Sequence, residues 1–247
     1  MANERAATVK DLQARKLFKD VPGRTIKKLL SFKSARFLSL EIPTQLMLRR
    51  NRAEYLYIVV SGYLEVRLDS QLIKSGESFL VAFRGPEHVV GEMRTIAREP
   101  GVAAVKTSGP CELIEIPSEA FTSVAKQDWR IYRNLVERLA EKTFQERKRI
   151  EVILMPEGVA QVAQALLNFL HERGYETDKG KEQIIRGVLR HTDIADYIGC
   201  HRTTVTKRLR ELKRLKIIDY PKGRNGYQQI TICNLGKLTK RAQEHLK

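Results

Sequence analysis

The stretch HTDIADYIGCHRTTVTKRLRELKRLKIIDY, residues 191–220, holds side chains suited to reading a base edge. Arg202 carries a planar guanidinium fork that can take the O6 and N7 of one guanine bidentately, and the short hydroxyls of Thr203 and Thr204 can reach base edges or phosphates. Lys207 follows on the same side one turn and a residue later. These groups act together only if a helix presents them. Val205, Leu209, Leu212 and Leu215 recur at helical spacing and would face inward, leaving Arg202, Thr203, Thr204, Lys207, Arg208 and Arg210 outside. Ahead of them Asp193 opens a shorter helical pattern with Ile194, Ala195, Tyr197 and Ile198, and Gly199 closes it where a left-handed residue suits a tight turn. Two helices across such a turn read as a helix-turn-helix, the second entering the major groove of DNA.

A solvated face on an ordinary surface helix would have the same composition, so the next segments decide. Ile217–Tyr220 and Tyr227–Ile232 have strand patterns on either side of PKGRNG at 221–226, a Gly-rich turn. This is a wing with Lys222 and Arg224 at its tip. The expected division is that Arg202, Thr203 and Lys207 face bases, while Lys222, Arg224, His201 and Thr204 hold phosphates. Charge agrees: residues 186–247 hold 15 Lys+Arg against 5 Asp+Glu, whereas 151–185 hold 3 against 6. The remaining 150 residues hold 27 against 18, so the whole chain also attracts polyanions without regard to sequence.

The 247 residues suit two domains, and 42% hydrophobic with 30% charged residues is the balance of a soluble globular protein. No apolar run approaches the ~18 residues of a membrane span, and MANERAATVKDLQ lacks the apolar core of a signal peptide, so no membrane partner and a cytoplasmic location are expected. Cys111, Cys200 and Cys233 are widely spaced and odd in number, and the five histidines form no helical pair with a carboxylate. No metal site and no cofactor are therefore expected. His191 reads as a helix-entry residue. No nucleophile, base and acid converge in the pattern and no phosphate loop is present, so an enzyme is not expected; Glu92 with His88 is the one nearby acid-base pair.

Elements that position the DNA-reading end come earlier. After a polar leader, residues 12–30 read as two short helices interrupted by Pro22-Gly23. Between Ala35 and Ile116 the segments FLSLEIP, LMLRR, YLYIVV, YLEVRL, FLVAF, VAAVKT and ELIEIP indicate an all-β roll or sandwich. Residues 117–124 read as a short helix. A long helix then runs from Trp129 to about Leu154, with Val136, Leu139, Thr143, Glu146, Ile150 and Ile153 at spacings of 3 and 4. At ~38 Å it is too long for one small roll to cover, and pairing with a second copy is its natural use; packing on its own sheet is the alternative. Pro156-Glu157-Gly158 forms a hinge, Val159–Arg173 is an amphipathic helix, and GYETDKGKEQ at 174–183 reads as a polar loop.

This order resembles the bacterial transcription factors of the Crp/Fnr family, the cyclic-AMP receptor protein and fumarate-nitrate regulator group. The resemblance rests on YLYIVVSGYLEV at 55–66, VVGEM at 89–93, CELIEI at 111–116, VAQVAQALLNFL at 159–170 and IADYIGCHRTTVTKRLRELKRLKII at 194–218. It implies an α+β chain: a cyclic-nucleotide-binding-like β-roll (jelly roll) over 1–127, a dimerisation helix and hinge over 128–155, and a winged helix-turn-helix over 156–247. It further implies double-stranded operator DNA, a second copy of the chain and RNA polymerase as partners. Arg202 matches the family's guanine-reading arginine, Thr203 stands where a base-reading glutamate is common, and Lys207 stands where a second arginine often sits.

The effector pocket departs from the family pattern. Gly91 and Glu92 are present, the glutamate being the residue that meets the ribose hydroxyl in nucleotide-binding members. The Arg-Ser pair that clamps the cyclic phosphate falls, by spacing back from Cys111, on Gly101 and Val102. Glu146 and Arg147 replace the small hydroxyl residues that contact the purine from the dimer helix. Arg94 or Arg98 could reach inward, but both are expected as exposed loop residues. Burying a cyclic phosphate without a paired cation is costly, so the expected effector is uncharged or differently charged, or absent. The expectation is a homodimeric, sequence-specific DNA-binding transcription regulator not controlled by cyclic AMP, with an effector-independent architectural DNA-binding protein as the rival.

Overall fold

The structure, a computed structural model, describes residues 2–32, 35–47, 54–68, 79–97, 103–156, 158–176, 182–185, 189–220 and 227–244. The chain divides into two compact units, one of residues 1–78 and 82–143, the other of residues 79–81 and 144–247.

The first unit begins with a strand, β1 (Ala2–Ala6), where the leader has too few apolar residues to announce one. It lies antiparallel to β2 (Arg36–Leu40), with the Arg5 guanidinium 4.2 Å from the centre of the Phe37 ring. Helix α1 (Val9–Gln13) starts in a capping box: the Thr8 hydroxyl accepts from Asp11 N at 3.2 Å, and the Asp11 carboxylate accepts from Thr8 N at 2.8 Å. A 3-10 turn at Lys16–Phe18 leads to α2 (Gly23–Leu30), entered through Pro22 at its N-cap. The roll then adds β3 (Gln45–Met47), β4 (Tyr55–Ser61), β5 (Leu64–Leu68), β6 (Phe79–Arg84), β7 (Val89–Val90), the short helix α3 (Glu92–Ala97), β8 (Ala103–Thr107) and β9 (Cys111–Pro117). Its two sheets have the orders β1-β2-β9-β4-β7 and β3-β8-β5-β6.

Side-chain alternation on β4 and β9 explains their nearly continuous apolar sequences, because the five-stranded sheet is covered on both faces. Tyr57 and Val59, with Cys111 and Leu113, point into the roll against Leu38, Leu64 and Val105. Leu56 and Ile58, with Ile114 and Ile116, point the other way. There they meet Leu12, Leu17, Phe18, Ile26 and Leu29 of the leader, Phe121 and Val124 of α4 (Ser118–Ala125), and Ile131 and Leu135 of α5 (Trp129–Leu154). Burial inside the roll pushes the Cys111 thiol up to about 12. Each of the seven segments read as strands overlaps a strand here, although β2 stops at Leu40 before EIP, and residues 48–50 of LMLRR and Val102 lie outside the described residues; β1, the two-residue β7 and α3 are additions to that reading.

Helix α5 begins as its sequence pattern predicts. Asp128 accepts from Arg130 N at 3.2 Å and from the Thr25 hydroxyl at 3.1 Å, and buried Asn134 donates to the carbonyls of Leu17 and Lys19 at 3.0 and 2.8 Å. One residue of the expected dimer seam is reassigned: Leu139 is partly buried against the roll's own helix-covered core. The apolar side chains that α5 leaves exposed are Trp129, Val136, Phe144, Ile150, Ile153 and Leu154.

The second unit comprises the first three residues of β6, the C-terminal part of α5, α6 (Val159–Arg173), β10 (Gly174–Glu176), β11 (Gln183–Ile185), β12 (Leu189–Arg190), α7 (His191–Ile198), α8 (Arg202–Arg214), β13 (Ile218–Asp219), β14 (Tyr227–Gln228), β15 (Thr231–Ile232) and α9 (Leu235–Ala242). The polar stretch after α6, read as a loop, in fact contributes two antiparallel strands, Gly174 pairing with Ile185 and Glu176 with Gln183. Ile184 and Ile185 are the only apolar pair there, too short a signal to mark a strand before its partner β15 is known. The wing is also wider than its turn chemistry suggested: Ile218 pairs with Ile232 and Asp219 with Thr231, whereas β14 pairs with β12 ahead of the helix-turn-helix. Its tip, with Lys222 and Arg224, lies outside the described residues.

Candidate DNA interface and effector region

Helix α7 begins at His191, two residues before the Asp193 start read from the sequence, because the Asp193 carboxylate reaches back to accept from Arg190 N at 3.0 Å. It ends at Gly199, whose φ of 73° and ψ of 34° are left-handed. Arg149 of α5 satisfies two of its last carbonyls, donating from Nε to Tyr197 O at 3.0 Å and from Nη2 to Asp196 O at 3.1 Å. Burial lowers the Arg149 pKa from its ordinary value, yet a cation at a helix C-terminus is favourably placed. Buried Gln161 of α6 ties the same corner together, donating to Val152 O at 3.0 Å and Ile198 O at 3.2 Å. Phe169 and Tyr197 pack with ring centres 4.5 Å apart.

Helix α8 runs for ~20 Å. Val205, Leu209 and Leu212 are fully buried, each contributing roughly 2 kcal/mol of transfer free energy, and so fix which face is turned outward. Leu215, expected inward with them, is the C-cap and only half-buried. Arg202, Thr203, Lys207 and Arg210 form, with Thr206, an open concavity of about 320 Å³. Thr206 was not singled out by the sequence: its hydroxyl lies 2.8 Å from His191 Nδ1 and donates to Arg202 O at 2.9 Å. It therefore fixes the first turn of α8 to the start of α7. His201 is the exposed N-cap of α8, and Thr204 is half-buried beside it. Of the sequence-derived DNA contacts, Arg202, Thr203 and Lys207 stand exposed on α8.

In the first unit Gly91 and Glu92 have separate roles. Gly91 sits at φ 96°, and a Cβ there would come within 2.7 Å of Tyr55 O and 2.5 Å of the Met47 methyl, so only glycine fits between strand and helix. Glu92 opens α3 and is 3% exposed. Its carboxylate accepts from Lys142 Nζ of α5 at 2.6 Å, and the same ammonium donates to Val89 O at 2.5 Å. Lys142 is polar, lies outside the apolar stripe and carries no motif, which is why spacing did not reveal it. Arg94, expected on an exposed loop, is instead on α3 and buried, donating to Ala103 O at 2.5 Å; burial lowers its pKa. Glu146 and Arg147 are exposed on α5. Gly101, Val102 and Arg98 lie outside the described residues. Among the described residues no three His, Cys, Asp or Glu side chains converge on a point where a metal would sit, and no helix is long and apolar enough to cross a membrane.

A β-roll followed by a long helix and a helix-turn-helix with an outward basic face defines the class of DNA-binding transcription regulators. Comparison with known proteins agrees. Residues 44–128 match the cyclic nucleotide-binding domain and residues 160–241 the Crp-like helix-turn-helix domain. The global nitrogen regulator of Synechococcus elongatus is 24% identical over 184 residues, covering 74% of this chain and 78% of that one. In fold the chain is similar to a Crp/Fnr-family transcriptional regulator of Thermus thermophilus, at 20% identity and TM-score 0.65, covering 85% of this chain and 99% of that one. It is likewise similar to FixK2 of Bradyrhizobium japonicum, at 20% identity and TM-score 0.66, covering 83% and 96%. The chain belongs to the Crp/Fnr family of transcription regulators.

The buried ion pair makes a testable prediction. Lys142→Met strands the Glu92 carboxylate and is expected to cost ~3–5 kcal/mol, whereas Glu92→Gln combined with Lys142→Met recovers most of that loss. Urea unfolding of the single and double variants measures both; a loss below ~1 kcal/mol for Lys142→Met would show the pair to be solvated.

Proposed function

We propose that this regulator acts as a homodimer, reads a two-fold symmetric operator through α8, and is not controlled by cyclic AMP. The observation that carries the reading is the outward face of α8, where a guanidinium, a hydroxyl and an ammonium project from a helix whose opposite face is locked in a core. Arg202, Thr203 and Lys207 face base edges in this reading. Arg210, further along the same face, joins His201, Thr204 and the wing residues Lys222 and Arg224 in holding phosphates. RNA polymerase and a cytoplasmic setting complete it, on the strength of the family alone.

Homodimerisation is supported by the apolar side chains that α5 leaves in solvent. Trp129, Val136 and Ile150 fall at multiples of seven residues, with Leu154 four residues after Ile150, so they can share one seam. Control without cyclic AMP is supported by the Lys142 ammonium, which already occupies the carboxylate that would meet a ribose hydroxyl, and by Gly101 and Val102 at the clamp positions.

Three measurements test the reading. Arg202→Ala should weaken binding to the selected operator by ~1–3 kcal/mol and relax preference at one base pair per half-site, while Lys222→Ala should weaken cognate and random duplexes alike and reduce the salt slope by about 1. Equal loss on all duplexes in Arg202→Ala would make Arg202 a phosphate contact and favour an architectural role. Val136→Asp places a charge in the proposed seam and should shift the dimer toward monomer in sedimentation, lowering full-site DNA binding with it; a wild type that is monomeric at micromolar concentration would reject the seam. Calorimetry with cyclic AMP should give no dissociation constant tighter than ~10 µM, about −7 kcal/mol, and a tighter one would mean that another cation supplies the clamp.

A further inference from the structure

A cavity of about 80 Å³ lies in the first unit between α5, the 3-10 turn of the leader and the segment before β7, with Lys16, Glu87, His88, Arg138, Glu141 and Lys142 in its wall. Most charges around it are matched. The Glu87 carboxylate accepts from Arg15 Nη1 at 2.7 Å and from Lys16 N at 2.8 Å, Glu141 forms an ion pair with Arg138 Nη2 at 2.9 Å, and Lys142 is held by Glu92 at 2.6 Å.

Two donors remain over. Arg138 Nε is buried with no acceptor among the described residues, on a side chain only 14% exposed. The Lys16 ammonium forms no ion pair among the described residues, so it is the surplus charge of the lining. Buried N–H groups are nearly always matched, and a buried guanidinium N–H short of an acceptor in the wall of a polar cavity that also carries a surplus ammonium points to an acceptor that enters it. Size narrows its identity. At the ~10–15 Å³ needed per water-sized atom, the cavity accommodates about six non-hydrogen atoms, enough for a tetrahedral oxyanion or a short carboxylate and far too few for a nucleotide.

We propose that this cavity binds a small oxyanion, phosphate-like or carboxylate, through Arg138 and Lys16. The anion accepts from Arg138 Nε and neutralises the Lys16 ammonium, and it joins α5 to the leader in the same unit as the Glu92–Lys142 pair. The cavity shares Lys142 with the Glu92 pair, whereas the DNA-reading face belongs to the other unit, so the site stands or falls independently of the proposed operator reading.

Calorimetric titration of the full-length protein with sodium phosphate, sodium sulfate and sodium acetate, at ionic strength held constant with chloride, tests it. We expect saturable binding of about one anion per chain with a dissociation constant below ~1 mM for at least one of the three, and the preferred salt separates tetrahedral from carboxylate ligands. Arg138→Gln should weaken it at least about tenfold, Lys16→Gln at least about threefold, and Glu141→Gln should tighten it by freeing the guanidinium edge. Lys16 is exposed, so its variant remains informative if Arg138→Gln lowers the melting temperature. Arg202→Gln is titrated alongside, because the recognition helix is the other anion-attracting surface. Saturable binding lost in Arg202→Gln and unchanged in Arg138→Gln overturns the proposal, as does the absence of saturable binding of all three salts.

Discussion

The structure depends on α5 keeping its faces distinct. Toward the roll it presents Ile131, Leu135 and Leu139, followed by the Lys142 ammonium on Glu92; in the second unit it presents Arg149 to the end of α7 and Val152 to the core. The exposed apolar side chains lie between these contacts. A helix of 26 residues can do this because its period distributes 131, 135, 139 and 142 to one side and 129, 136 and 150 to another. Its first 15 residues belong to the first unit and its last 11 to the second, so a single element contributes to both cores.

The polar contacts of α5 matter as much as the apolar ones. A lysine buried beside a glutamate is tolerated because each satisfies the other and the ammonium finds a backbone carbonyl as well. An arginine whose pKa is lowered by burial is tolerated because it meets the partial negative charge at a helix end. Within each unit these pairs specify where α5 sits more narrowly than leucine packing would, since a slip of one residue would leave a charge without its partner.

The recognition face of α8 follows from the same logic in reverse. Nothing in Arg202, Thr203 or Lys207 holds them in place directly; Val205, Leu209 and Leu212 do so by being buried, and Thr206 adds a bond to His191 at the start of α7. The exposed groups are thus free to meet DNA while the helix under them is fixed.

What the sequence alone determined were the properties that repeat within a short window. The seven roll strands, the α5 span, the two helices at 191–214 and the glycine turn between them all show in residue period and turn chemistry, which act over a few neighbours. Arg202, Thr203 and Lys207 were legible for the same reason, being outward on a helix whose inward stripe is plain. What only tertiary structure decided involves partners far apart in the chain or strands too short to show a period. Lys142 meets Glu92 across 50 residues, Arg94 turns inward, Leu139 packs on its own roll, β1 is a strand because β2 is beside it, and β11 is one because β15 is. In each case the residue's own neighbours permit several conformations, and the choice among them is made by burial and pairing against segments whose position no local pattern encodes.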